Sequence, residues 1–494
     1  MNYVSTRGLV KESVTSAYAI KTGLASDGGL FMPESIPQIK ECELKELMTD
    51  NYPVRAAKIL SKFLTDYTYD ELLEDATNAY AKEKFGASPA PVTKLDGNNY
   101  MLELWHGPTC AFKDMALQIM PRLFTRALKK CGENKTALIL VATSGDTGKA
   151  ALEGYRDIPG TKIKVFYPVS GVSRVQKLQM QTQEGSNVSV SGIVGNFDDA
   201  QSGVKKIFSD ASVAKRLADA NVFLSSANSI NWGRLVPQIV YYISAYCDMV
   251  NSGAIKFGEK IDVCVPTGNF GNIFAGYIAK LMGLPIEKLI CASNVNNVLT
   301  DFLRTGIYDR NRDFHATISP SMDILISSNL ERLLYVTLGS KKTADYMSKL
   351  AADGRYELSK DELSKISEHF VGYYTSEEET KEVISNVFKN KNCLIDTHTA
   401  VAVHAAESYA NDFKAERKIL AVSTASPYKF ARDVFLSISG KEPKDELSAL
   451  NELCEFTGVE VPLPLGKLAS KKILQNETID KCEMEDATFK FALD

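Results

Sequence analysis

The sequence predicts an α/β protein built on doubly wound parallel sheets, and three stretches carry that prediction. In each, a short apolar run ends in a turn of small and hydroxyl-bearing residues that opens a helical pattern. Thr136–Ala142 leads into Ser144–Gly148, Lys260–Val265 into Pro266–Asn272, and Lys418–Val422 into Ser423–Pro427. Strands alternating with helices, with ligand-type turns at the strand ends, mark sheets covered by helices on both faces.

In chain order, residues 1–90 read as a separate N-terminal segment. It holds a Gly and Pro cluster from Gly23 to Pro33, then apolar residues at helical spacing over Tyr52–Phe63 and Tyr69–Phe85. Residues 91–440 read as the core, with a smaller lobe over roughly 130–240. There Lys149–Arg156 continues the first turn as a helix, and Lys162–Val169 is a second buried strand. Ile273–Leu281 and Tyr428–Phe435 are the helices after the other two turns. Residues 300–390 are rich in helix signals and charge and read as an insertion or a flanking helical layer, and 441–494 as a tail packed on the core.

Composition narrows the function classes. The 494 residues suffice for two or three domains around a large core. A net charge of −4, with only short basic runs such as Lys129-Lys130 and Lys471-Lys472, argues against a nucleic-acid surface. Nine cysteines without a CxxC pair or a Cys/His ladder fit reduced thiols rather than disulfides, and indicate no metal site. The N-terminus lacks the pattern of a signal or transit peptide, and no apolar stretch reaches the length of a membrane span. The expectation is a soluble cytoplasmic enzyme with no membrane partner.

Four turns carry chemistry. Leu104-Trp105-His106-Gly107-Pro108-Thr109-Cys110-Ala111-Phe112-Lys113-Asp114 sets a lysine among aromatic and small residues. A desolvated lysine sheds its charge readily, which an amine needs to form a Schiff base; a lone lysine is otherwise most often exposed. The turn Ala142-Thr143-Ser144-Gly145-Asp146-Thr147-Gly148-Lys149 is rich in donors, although capping a helix explains such residues equally well. It is not a nucleotide P-loop: two residues separate Gly145 from Gly148, and Lys149 precedes Ala150. Pro266-Thr267-Gly268-Asn269-Phe270-Gly271-Asn272 suits an anion at a helix N-terminus and lacks dinucleotide-binding spacing. Ser423-Thr424-Ala425-Ser426-Pro427 offers hydroxyls that either hydrogen-bond a ring nitrogen or cap a helix.

These four turns, in this order, resemble the fold type II pyridoxal-phosphate (PLP) enzymes. Ser226-Ala227-Asn228-Ser229-Ile230-Asn231-Trp232-Gly233-Arg234, with Gln238 and Tyr241-Tyr242 beyond it, resembles a signature of the threonine synthase family. So do Ser5-Thr6-Arg7-Gly8, Asp27-Gly28-Gly29-Leu30, Ser319-Pro320-Ser321-Met322-Asp323 and Asp396 to Val401. The resemblance implies a PLP enzyme with two doubly wound lobes that converts O-phospho-L-homoserine and water to L-threonine and inorganic phosphate. It implies that Lys113 carries PLP through an imine, that Gly268, Asn269, Phe270, Gly271 and Asn272 cradle its phosphate, and that Thr424 faces the ring nitrogen. Ser144, Asp146 and Thr147 would line the substrate side, and Asn228, Ser229 and Arg234 would bind the substrate phosphate. Two positions depart from the commoner pattern: Ser426 stands where many members carry His, and Asp146 where many fold type II enzymes carry Asn. The competing readings are a fold type II dehydratase and an idle relative that binds PLP or a phosphorylated ligand. Neither the Ser-Ser-Gly-Asn-His turn nor the longer Gly run of dehydratases is present.

Overall fold

The computed structural model describes residues 1–10, 12–170 and 172–493. Two sheets organise it. The larger has six strands in the order Phe370–Tyr374, Ile286–Ser293, Ile261–Pro266, Ile419–Ser423, Asn99–Glu103 and Val92–Asp96. All neighbours are parallel except the final antiparallel hairpin. The smaller has five parallel strands in the order Glu477–Asp480, Val188–Val194, Thr161–Pro168, Thr136–Ala142 and Val222–Ser225. Every residue of the central strands Ile261–Pro266 and Ile419–Ser423 is buried. Such strands are covered on both faces and read as continuous apolar runs rather than alternating ones, which is why those two and Thr136–Ala142 are visible in the sequence.

The twenty-residue helix Trp232–Asn251, buried from Trp232 through Cys247, packs on the helices Gly271–Leu281 and Tyr52–Phe63. The N-terminal segment packs on its start. Tyr3 and Phe63 meet Trp232 with ring centroids 5.6 and 5.7 Å away, and buried Arg55 pairs with Asp248 at 2.7 Å. The opening Thr6-Arg7 has a structural task. Thr6 donates to Glu331 at 2.6 Å and Arg7 forms a two-pronged ion pair with the same carboxylate at 3.0 Å. This anchors the helix Leu330–Leu338 beside the candidate site.

Two regions differ from the sequence expectation in instructive ways. Within 300–390 the helices are present, but Phe370–Tyr374 is an edge strand of the larger sheet. At five residues between two long helices it is too short for periodicity to separate from its neighbours. The tail divides between the lobes. Ser448–Thr457 packs beside Ala431–Ser439 on the larger lobe. Glu477–Asp480 and the helix Met484–Leu493 join the smaller sheet, burying Met484 and Phe489 against Leu138, Leu140 and Phe166. With one apolar residue in four, Glu-Thr-Ile-Asp carries no strand signal of its own.

Candidate active site

Because Asn99–Glu103, Ile261–Pro266 and Ile419–Ser423 run parallel, the turns that follow them emerge at one edge of the larger sheet. The lysine turn and the late Ser-Thr turn are zipped together. Leu104 N–H donates to Ser423 O at 2.9 Å, Phe112 N–H to Thr424 O at 2.8 Å, and Ser426 N–H to Cys110 O at 3.0 Å. Cys110 takes a left-handed conformation, φ +59°, to make this bend. Asp114 closes the turn from below, accepting from Thr109 N–H and Oγ1, both at 2.8 Å. Burial raises its carboxyl to about 7.

Lys113 is buried at the mouth of this turn. Its Nζ donates to Ser321 Oγ at 3.2 Å and lies 3.9 Å from Asp146 Oδ2. Burial lowers the ammonium to about 8; Asp146 opposes the shift, and the charges of Arg234 and Lys429 reinforce it. A lysine so placed gives up its proton far more readily than a free one and is mostly neutral above about 8, the condition for imine chemistry.

The turn after Ile261–Pro266 has the form of an anion cradle. Phe270 adopts φ +61° and opens the helix Gly271–Leu281. The backbone N–H groups of Gly268, Asn269, Phe270 and Gly271 have no acceptor among the described residues. Asn272 is buried; its Oδ1 accepts from Tyr241 and Tyr242 at 2.6 Å each, while its Nδ2 is left without a partner. Free N–H donors at a helix N-terminus suit a phosphate. Any side chain at Gly268 would put its Cβ 2.5 Å from Ser321 O. Ser321 therefore touches both the cradle and the Lys113 amine, which sets the two features within one residue of each other.

Ser321 is held from behind. Its N–H donates to His398 Nε2 at 3.2 Å, so the ring proton sits on Nδ1, which donates to Asp396 Oδ1 at 2.9 Å. Asp396 caps the helix Thr397–Phe413 and also accepts from Thr399 Oγ1, whose oxygen in turn accepts from Ser423 Oγ at 3.0 Å. The roles of Ser321 and the Asp396–His398 pair are not readable from the sequence. Their motifs stand out, but the contact joins residues 77 apart.

The Ser144–Gly148 turn faces the amine from the smaller lobe. Thr143 Oγ1 accepts from Gly145 N–H at 3.0 Å and Gly148 N–H at 2.9 Å. Gly145, at φ +147°, leaves room for Gln176, whose side chain a Cβ there would strike at 2.5 Å. Asp146 opens the helix Asp146–Tyr155 and is buried, bonded to Lys429 and Gln176 at 2.8 Å each. Burial alone would raise its carboxyl, yet Lys429 and Lys113 hold it well below the usual carboxylate range.

Arg234, in the first turn of Trp232–Asn251, is buried and donates to Ala227 O at 2.6 Å. It forms no ion pair among the described residues, and burial lowers its guanidinium to about 10. Ser229 Oγ lies 3.4 Å from Ser328 Oγ, which is 3.4 Å from Asn269 Oδ1, so this segment reaches the cradle. Thr424 is buried and its hydroxyl makes no hydrogen bond among the described residues. Ser144 and Asn228 are exposed and Thr147 half-buried; they sit on the same turns without side-chain bonds to the others.

These residues fit a cofactor that carries an aldehyde at one end and a phosphate at the other. Residues 86–425 match the model of the pyridoxal-phosphate dependent enzyme family, and fold and site together define a fold type II PLP enzyme. Residues 2–80 match the threonine synthase N terminus. Threonine synthase of Pseudomonas aeruginosa is 37% identical over 90% of this chain and 92% of its own length. The PLP-bound threonine synthase structure from Brucella melitensis superposes with a TM-score of 0.88 at 35% identity over the whole of both chains. The chain belongs to the threonine synthase family. Human threonine synthase-like 1 is 40% identical over 87% of this chain, which spans 59% of that longer protein.

Proposed function

We propose that this chain converts O-phospho-L-homoserine and water to L-threonine and inorganic phosphate, with PLP held on Lys113. The observation that carries the reading is the single residue, Ser321, that contacts both the Lys113 amine and the cradle at Gly268. PLP supplies an electron sink for negative charge developing beside the substrate nitrogen. Gly268, Asn269, Phe270, Gly271 and Asn272 would hold its phosphate through free N–H groups, and the unbonded Thr424 hydroxyl would serve its ring nitrogen, tempering charge build-up because a neutral hydroxyl does not give up a full proton. The Lys113 amine, when free, would take the proton from the substrate α-carbon as general base. Asn228, Ser229 and Arg234 fix the substrate phosphate, orienting the γ-carbon and stabilising the charge that leaves with it. Ser144, Asp146 and Thr147 line the opposite wall, where water adds at the β-carbon.

Among the described residues no helix is long and apolar enough to cross a membrane. With nine free cysteines, this supports a cytoplasmic setting. The test is stoichiometric release of phosphate and threonine from O-phosphohomoserine, set against keto-acid release from threonine. Phosphate release without threonine, or keto acid alone, overturns the reading.

His398 provides a further check. In His398→Leu the Ser321 N–H loses its acceptor, at a cost of about 1–3 kcal/mol, and Ser321 is no longer pinned against Lys113. PLP affinity of the apoprotein is expected to fall about tenfold or more. His398→Gln, which can present an oxygen to the same N–H, is expected to recover much of it, read by absorbance titration.

A further inference from the structure

Lys429 lies outside every motif that the proposed reaction uses, yet it is among the most enclosed charges near the site. Its side chain is 0% exposed. The ammonium is saturated by Asp146 Oδ1 at 2.8 Å, Gln179 Oε1 at 2.9 Å and Thr109 O at 3.1 Å. Three donors meet three acceptors, one from each of three chain segments, so the group has no free position. Asp146 spends its own bonds on the side away from the cofactor lysine. Oδ1 takes Lys429 and Gln176 at 2.8 Å each, while Oδ2 stands 3.9 Å from Lys113 Nζ, beyond hydrogen-bond distance.

We propose that Lys429 is a positioning residue that claims Asp146 for itself and so prevents a tight Asp146–Lys113 ion pair. The inference rests on Lys113 being the cofactor lysine. A buried carboxylate needs a cation, and two lysines compete for this one. Were Lys113 to win, its amine would be locked as an ammonium and unable to form the carbon–nitrogen double bond, with loss of water, to the cofactor aldehyde. With Lys429 as the partner, Asp146 stays ionised near the reacting groups while the amine is released. The other groups facing Lys113 are Ser321 from the 319–323 turn, Arg234 from the long helix and Asp114 from its own turn. Of these, Ser321 alone bonds the amine, and none substitutes for Lys429 at Asp146.

The experiment follows covalent PLP attachment to apoprotein as a function of pH, by the lysine-linked absorbance band, in wild type and three variants. In Lys429→Met the half-maximal pH is expected to rise by about one unit or more, a tenfold or greater change in proton affinity, as Asp146 turns to Lys113. In Asp146→Asn it is expected to fall, because Lys429 then faces Lys113 uncompensated. The double variant is expected to lie between the two. That second comparison, Asp146→Asn against the double, stands even if Lys429→Met alone does not fold. A role for Lys429 confined to packing would weaken PLP binding, leave the Lys429→Met midpoint at the wild-type value and make the Asp146→Asn and double-variant midpoints equal; that result overturns the proposal. Borohydride reduction and peptide mapping of the wild type separate the underlying reading: PLP trapped on a residue other than Lys113 would sink that reading first, whatever the midpoints do.

Discussion

Lys113→Ala is expected to lose turnover by about 10²–10⁴-fold or more, the scale of a removed general base, and to lose the lysine-linked absorbance band of bound PLP. Both effects follow from one atom. The Nζ that bonds Ser321 Oγ at 3.2 Å is, in the proposed reading, the nucleophile for cofactor attachment, and among the described residues it is the amine that bonds Ser321. Arginine at 113 would keep the charge and lose the chemistry, because a guanidinium does not deprotonate in this range. The pH dependence carries a sign. Burial disfavours the ammonium, so the neutral amine appears above about 8 rather than near 10.4 as for a free lysine. Attachment of PLP to the apoprotein should therefore rise with pH through about 8 and level off above it. A Lys113→Ala protein that remains yellow and active would overturn the assignment.

How far the sequence reveals this site depends on the range of the interactions that build it. The Thr136–Ala142 strand and the Tyr52–Phe63 helix coincide with the sequence reading residue for residue, because burial on both faces, or on one helical stripe, is written locally. The helix after the late turn begins with a 3-10 stretch, Pro427–Phe430, before Ala431–Ser439. Pro427 explains the irregular start. The four turns were legible as motifs, but what makes them one site is tertiary. The hydrogen bonds zipping residues 104–112 to 423–426, and Ser321 set between Gly268 and Lys113, connect positions far apart in the chain. Lys429 had a local cue, since it stands between Tyr428 and Phe430 much as Lys113 follows Phe112. The cue was too weak without the Asp146 partner on the other lobe. The hairpin Val92–Asp96 and Asn99–Glu103 is likewise not written locally. Its edge strand, with alternating charge and no fully buried residue, reads as loop.

Arg234→Met is expected to separate catalysis from stability. A buried guanidinium whose partner among the described residues is one carbonyl oxygen, at 2.6 Å from Ala227, and no carboxylate, is an uncompensated charge. Such a group destabilises the protein by several kcal/mol unless something else supplies the negative charge. Its positive charge adds to the burial that disfavours the ammonium of Lys113, which supports a place for it on the same side of the site. If the missing counter-charge is the substrate phosphate, methionine should leave the ligand-free protein as stable as the parent or more so. The same change should cost about 2–5 kcal/mol of binding at a desolvated charge pair, roughly 30- to 5,000-fold in kcat/KM for O-phosphohomoserine. Thermal stabilisation by inorganic phosphate should be lost in parallel, while the lysine-linked PLP band persists because the cofactor cradle at 268–272 is untouched. Arg234→Lys should fall between the two, keeping the charge but not the planar fork that matches two phosphate oxygens. A variant that unfolds more readily yet binds phosphate and turns over substrate as before would instead make Arg234 a brace for the Ala227 turn, and the substrate phosphate would have to be placed elsewhere.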